Sequence, residues 1–159
     1  MADDADSKEQ IARLRELAHR LYAGEKTPHR SCGICLAEAF GRAPAPYQAL
    51  RRGGITGRGQ CGAIKAGELI LGELFGDPDP CGPVTERLRQ AMVAYQARCA
   101  ALLQRAGHAS DICNDLTASF ADFHGAARHR FCTELAADVA EILAEVITTH
   151  GGELPDAPR

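Results

Sequence analysis

Nearly every long segment of this chain repeats apolar residues at intervals of three and four, and this pattern most constrains the fold. Such spacing places one apolar stripe along a helix. Glycine or proline stands at most of the breaks between these segments, where it ends helices. We find no stretch of the period-two alternation that a half-buried strand requires. The sequence therefore predicts an all-α fold, a single-domain bundle of about six helices.

Glycines and prolines set the expected boundaries of the helices. The predicted helices cover about 7–23, from Ser31 to Gly41, about 64–75, from Pro83 to near Gly107, about 112–123 and about 127–149. The glycine-rich segment 51–62 is expected to be a loop. A chain of 159 residues is about the size of one domain. We expect its core over about 8–150 and a frayed tail over 151–159, which holds two prolines.

Composition and charge exclude several classes of protein. The chain has 21 acidic and 18 basic residues and a net charge of -3, so we expect no nucleic-acid partner. We find no apolar run of the roughly 18 residues that a spanning helix needs, and we expect no membrane association. The acidic, polar start lacks the features of a signal peptide, which predicts a cytoplasmic protein.

The seven cysteines are the chemically unusual feature of the composition. Their number is odd, and a chain of this length needs no disulfide to stabilise its core. In a reducing cytosol, clustered cysteines indicate metal, cofactor or redox function. We therefore expect the chemistry of this protein to reside in its thiols.

Cys32 and Cys35 form a Cys-Gly-Ile-Cys motif at the start of the predicted second helix, directly after His29 and Arg30. Free amides and the helix dipole at such a position favour a thiolate. The motif supports reversible disulfide formation, half of a zinc site, or two ligands of an iron-sulfur cluster. Haem attachment in its usual form is excluded, because Leu36 stands where the axial histidine would be.

The string from Gly57 to Gly62 matches the G-x-G-x-x-G dinucleotide fingerprint, but no buried strand is predicted before it. We interpret it as a loop whose backbone approaches another group closely, just before Cys61 opens the third helix. Gly57, Gly59 and Gly62 are therefore candidate cofactor-binding residues, with amides that could hydrogen-bond an anion or cluster sulfides. Lys65, one turn later, could stabilise a thiolate, although a solvated surface charge is its more common role.

The remaining cysteines lie at separate places in the predicted bundle. Cys113 opens the fifth helix, where Ser110 or Asp111 could cap. Cys132 shares a face of the sixth helix with apolar residues and is expected to point toward the core. Cys81 and Cys99 have no suggestive context, and we assign them to packing.

The order of these motifs resembles the redox-active family named C_GCAxxG_C_C. The resemblance covers roughly residues 10–148 and rests on S-C-G-I-C-L-A-E-A-F at 31–40, G-G-I-T-G-R-G-Q-C-G-A-I at 53–64, the segment from Gly107 to Leu116, and Cys132 in an alanine-rich final helix. It implies a redox protein with its four family cysteines at Cys32, Cys61, Cys113 and Cys132. It implies no particular substrate.

Three functions remain open from the sequence. In the first, Cys32, Cys61, Cys113 and Cys132 converge from helix starts, with Cys35 as a further ligand, and bind an iron-sulfur cluster or another thiolate-ligated metal for electron transfer. The second is cofactor-free thiol-disulfide exchange, with Cys32 attacking and Cys35 or Cys61 resolving. The third and weakest is a metal-storage bundle.

The sequence does not specify the redox partner protein. We also expect a homodimer, because the first helix at the chain's end could bury apolar surface against a second copy.

Overall fold

The protein is described here by a computed structural model that covers residues 2–156, with side chains from residue 5 onward. Its helices are α1 (Ala2–Ala23), α2 (Cys32–Ala39), a 3-10 helix (Ala45–Leu50), α3 (Gly62–Phe75), α4 (Glu86–Arg105), α5 (Cys113–Thr117) and α6 (Ala126–Thr149). The prediction of an all-α fold is confirmed. The only β-type pairing over residues 2–156 is an isolated bridge between Gln60 and Ile112. No helix within this range has both the length and the apolar character to cross a membrane.

Helices α1 and α6 pack along each other and form the most extensive helix contact of the fold. The apolar stripe of α1, which includes Leu14, Leu17 and Leu21, is buried in this contact region. The stripe on which the expected homodimer rests is therefore covered within the chain. The homodimer stays a prediction, but this stripe no longer offers apolar surface for a second copy to bury.

Three helix boundaries differ clearly from the predicted ones. Helix α1 begins at Ala2 rather than near 7. Helix α4 begins after Pro83, because Thr85 caps it by accepting a hydrogen bond from the backbone N of Leu88 at 3.0 Å. The predicted fifth helix extends to 123, whereas α5 ends at Thr117. In the segment that follows, the Asp122 carboxylate accepts a hydrogen bond from the backbone N of His124 at 2.9 Å. Such local side-chain bonds compete with the helical pattern.

The segment 151–156, which we expect to fray, lies against the bundle. The Gln10 side-chain amide donates to the carbonyl oxygens of Leu154 and Pro155, at 3.2 and 3.1 Å. Leu154 also packs against the core. The rest of the expected frayed tail, 157–159, lies outside the described residues.

The starts of α2 and α3 meet at two glycines. An added Cβ on Gly33 would lie 3.2 Å from the Gly62 carbonyl oxygen, and one on Gly62 would lie 2.7 Å from Cys32 Sγ. Side chains at these positions would force the two helix starts apart. The approach brings Cys32, the first residue of α2, next to Cys61, which precedes α3.

Backbone hydrogen bonds join the glycine loop to the segment before α5. Cys61 N donates to the Asp111 carbonyl at 2.7 Å, and Cys113 N donates to the Gly59 carbonyl at 3.0 Å. The Asn114 N donates to the Gly57 carbonyl at 2.8 Å. The start of α5 is thereby held beside the starts of α2 and α3.

Candidate functional site

Four of the seven cysteines line one cavity of about 260 Å³. Cys32 and Cys113 are the first residues of α2 and α5, Cys61 immediately precedes α3, and Cys132 lies near the start of α6. These are the four cysteines that the sequence analysis groups together. They come from four separate segments of the chain, so the tertiary fold brings them to this cavity.

The Cys32 sulfur is the most activated of the seven. It interacts with the Cys61 thiol and with the backbone amides of Gly33, Gly62 and Ala63. The hydrogen bond from Cys61 is the largest cause that lowers the pKa of Cys32, and together with the amides it overcomes burial and brings the pKa from 9.0 to about 7. The position suits a thiolate, because the amides belong to the starts of two helices.

Cys61 has the opposite character. It is buried, and the pKa of its thiol lies well above the ordinary value because it hydrogen-bonds Cys32, with burial and the charge on Cys32 adding to this shift. Cys32 is therefore the thiol of the pair that ionises near neutral pH, whereas Cys61 keeps its proton. This is the arrangement of a nucleophile beside a thiol partner.

Cys113 and Cys132 face the same cavity in protonated form. Burial raises the pKa of Cys113 to about 11, and the nearby charge on Cys32 adds to this effect. Burial also raises the pKa of Cys132, although a hydrogen bond and the positive charge of Arg128 oppose the shift. Cys132 is half-buried and faces this cavity beside the core.

Cys35 does not line the cavity. It is fully buried in the core, and its Sγ donates to the carbonyl oxygen of Cys32 at 3.2 Å. Burial holds the pKa of its thiol well above the ordinary value. Of the two cysteines assigned to packing, Cys99 is buried with a pKa raised to about 12, and Cys81 is exposed.

Among the candidate cofactor-binding glycines, Gly62 lines the cavity, whereas Gly57 and Gly59 do not. A Cβ on Gly57 would lie 1.9 Å from Asn114 Oδ1, and one on Gly59 would lie 2.7 Å from the Gly53 carbonyl oxygen. The loop backbone therefore makes a close approach, as predicted, but the groups it approaches are Asn114 and Gly53 of the same chain. Lys65 pairs with Glu68 at 2.7 Å and does not line the cavity.

The cavity lining also holds three arginines that were not predicted from the sequence, Arg51, Arg52 and Arg128. The guanidinium carbons of Arg52 and Arg128 lie 4.6 and 4.4 Å from the centre of the Phe123 ring. Arg128 also donates to the Tyr22 hydroxyl at 2.7 Å. The Arg-Arg pair beside the glycine loop was a usable signal, whereas nothing local points to Arg128.

Over the described part of the chain, no three Cys, His, Asp or Glu side chains are grouped so that they could hold a metal ion. No family model, curated protein or solved structure matches the chain.

Proposed function

We propose that the protein is a cofactor-free thiol-disulfide redox protein, with Cys32 as the attacking thiolate and Cys61 as the resolving thiol. The observation that carries this proposal is that Cys32 and Cys61 line one cavity where two helix starts meet, so closely that an added Cβ on Gly62 would lie 2.7 Å from Cys32 Sγ. A thiol is most effective in exchange when its pKa is near the ambient pH, and that of Cys32 is about 7.

Reduction of a substrate disulfide by Cys32 and Cys61 needs no other oxidant or reductant. The Cys32 thiolate attacks one sulfur of a substrate disulfide, whose S–S bond breaks and releases one thiolate. That thiolate takes the proton of Cys61, and the Cys61 sulfur then attacks Cys32, releasing the second thiolate, which takes a proton from water. Two electrons pass from the dithiol to the substrate, and the protein is left with a Cys32–Cys61 disulfide.

The geometry favours Cys61 over Cys35 as the resolving residue. Cys61 lines the cavity and hydrogen-bonds Cys32 through its thiol, whereas the Cys35 thiol is directed to a backbone carbonyl inside the core. A disulfide to Cys35 would require its sulfur to leave that position.

Peptide mapping of the oxidised protein tests the pairing. A Cys81→Ser background removes the exposed thiol that would otherwise react with added disulfide. We expect one equivalent of disulfide to produce a Cys32–Cys61 link. Cys61→Ser should instead accumulate a mixed disulfide on Cys32, and Cys35→Ser should behave like the parent. A Cys32–Cys35 link in the parent would contradict the proposal.

A second candidate function is electron transfer by an iron-sulfur cluster. It is favoured by the position of Cys32, Cys61, Cys113 and Cys132 around one cavity, because four thiolates are the usual ligand set of such clusters. The cluster would supply electron transfer. Because no three Cys, His, Asp or Glu side chains of the described residues are grouped to hold a metal ion, the four thiols would have to move closer together and release their protons. The test is the visible absorption of anaerobically purified protein. A broad band that bleaches on reduction supports the cluster.

A further inference from the structure

Apart from the Cys32 thiolate, the cavity that holds the Cys32–Cys61 pair is lined by cationic and neutral groups. Its basic residues are Arg51, Arg52 and Arg128, with His29 and His124 beside them. None of the described residues that line it is Asp or Glu. In a chain of net charge -3, this is a local concentration of positive charge.

These three arginines differ from six others in the described chain. Six arginines form ion pairs with carboxylates, namely Arg13, Arg15, Arg30, Arg42, Arg89 and Arg98. By contrast, no ion pair with a described carboxylate involves Arg51, Arg52 or Arg128. No described carboxylate therefore neutralises their charges, although Arg128 already donates to the Tyr22 hydroxyl at 2.7 Å.

Arg52 is also held in an unusual backbone conformation. Its φ is 49°, in the left-handed region that residues other than glycine rarely adopt. Such conformations concentrate at binding and catalytic sites. Here the conformation accompanies the stacking of the guanidinium on Phe123 at the cavity. The side chain itself remains exposed and accessible to a ligand.

We propose that the substrate of the Cys32–Cys61 site is a small disulfide whose ends carry carboxylates, which Arg51 and Arg52 bind. This inference rests on the proposed function and names its substrate class. The cavity, at about 260 Å³, is slightly smaller than the usual range for ligand pockets, which is roughly 300 to 1,000 Å³. It therefore accommodates the disulfide group, and the charged ends lie toward the exposed arginines.

Three small disulfides that differ only in terminal charge test the inference. Dithiodipropionate carries two carboxylates, bis(hydroxyethyl) disulfide is neutral, and cystamine carries two ammonium groups. Reduced protein in the Cys81→Ser background reacts with each in a single turnover at low salt. Formation of the Cys32–Cys61 link is followed by mass spectrometry. Each rate is divided by that of free 1-thioglycerol, a neutral thiol that differs from the halves of all three probes, with the same disulfide, which corrects for intrinsic reactivity.

We expect the normalised rate to be about tenfold higher for the dianion than for the neutral disulfide, and the dication to be slowest. Added salt should reduce this preference, because the charges are exposed. Arg52→Gln should lower the ratio of dianion to neutral rates by about two- to fivefold. Arg58→Gln is the matched control, because Arg58 lies in the same loop, is exposed and does not line the cavity. It should leave the ratio unchanged.

The outcomes separate this inference from the proposed function. Exchange with all three disulfides at equal normalised rates, or an equal response of Arg52→Gln and Arg58→Gln, overturns the carboxylate-bearing substrate and leaves the dithiol function standing. If none of the three disulfides reacts, both the substrate class and the dithiol function are overturned. A preference for the dianion that Arg52→Gln removes and Arg58→Gln preserves supports both.

Discussion

Gly62→Ala is the most direct test of how the fold activates Cys32. The added methyl would lie 2.7 Å from Cys32 Sγ and 2.5 Å from the Leu50 carbonyl oxygen. Neither distance is tolerable, and the backbone atom cannot easily move, so the sulfur must shift away from the amides of Gly62 and Ala63. Overpacking of this kind costs about 1–3 kcal/mol of folding free energy.

The chemical effect can be worked from the pKa. Loss of enough of the stabilising bonds to return the pKa of Cys32 from about 7 to the ordinary value of 9.0 is worth about 2.7 kcal/mol. At pH 7 the thiolate fraction would fall about 50-fold. The more basic thiolate is about tenfold more nucleophilic, because the Brønsted coefficient is about 0.4–0.5. Alkylation should therefore slow about fivefold at pH 7 and accelerate about tenfold at a pH above 10.

The assay is the rate of iodoacetamide labelling of the Cys32 peptide across pH, read by mass spectrometry. In the parent, the rate should rise with pH around a midpoint of about 7. Gly72→Ala is the control in the same helix, because its Cβ would meet nothing within 4 Å. It should stabilise the protein by about 0.5–1 kcal/mol and leave the midpoint unchanged. A folded Gly62→Ala variant with the parental midpoint would refute the reasoning.

Three further predictions concern single side chains of the site and of the core. Cys61→Ala should raise the midpoint for Cys32 labelling, because it removes the largest cause of the lowered pKa, whereas Cys61→Ser keeps a donor and should shift it less. Tyr95→Phe should reduce the free energy of unfolding in urea by about 1 kcal/mol, since the hydroxyl is fully buried and donates to a carbonyl of α3 at 2.9 Å. Cys113→Ser and Cys132→Ser should leave dithiol exchange intact but abolish any visible absorption band, since only a cluster needs all four thiolates. Loss of exchange in both serine variants would contradict the dithiol mechanism.

The helical periodicity was sufficient to predict the fold class because it reflects burial directly. In α6, for example, Val139, Leu143 and Ile147 follow the helical spacing and are fully or almost fully buried. The same rule fails where local polar groups compete with the helix. Leu116 and Phe120 fit a helical stripe, but the chain turns after Thr117, and the Asp122 side chain bonds to nearby backbone.

The candidate site was predictable only where local sequence determines the position of a residue. The positions of Cys32 and Cys61 at helix starts depend on local sequence, namely a Cys-x-x-Cys motif after a break and a cysteine at the end of a glycine loop. The orientation of Cys35 depends on packing, and its burial against the Cys32 carbonyl has no sequence signal. Arg128 of α6 faces the cavity and contacts Tyr22 and Phe123. Tyr22 is far away in the sequence and Phe123 lies outside α6, so helical periodicity does not predict either contact.

The groups that stabilise the Cys32 thiolate are distinct from the arginines that line the same cavity. A buried thiolate is costly unless nearby groups stabilise its charge. The amides at the starts of α2 and α3 and the Cys61 thiol supply that stabilisation at the sulfur itself. The arginines at the cavity are therefore not required to hold the thiolate, and they form no ion pair with a described carboxylate. Their charge remains available to an anionic substrate, which separates the residues that activate the nucleophile from those that select what it attacks.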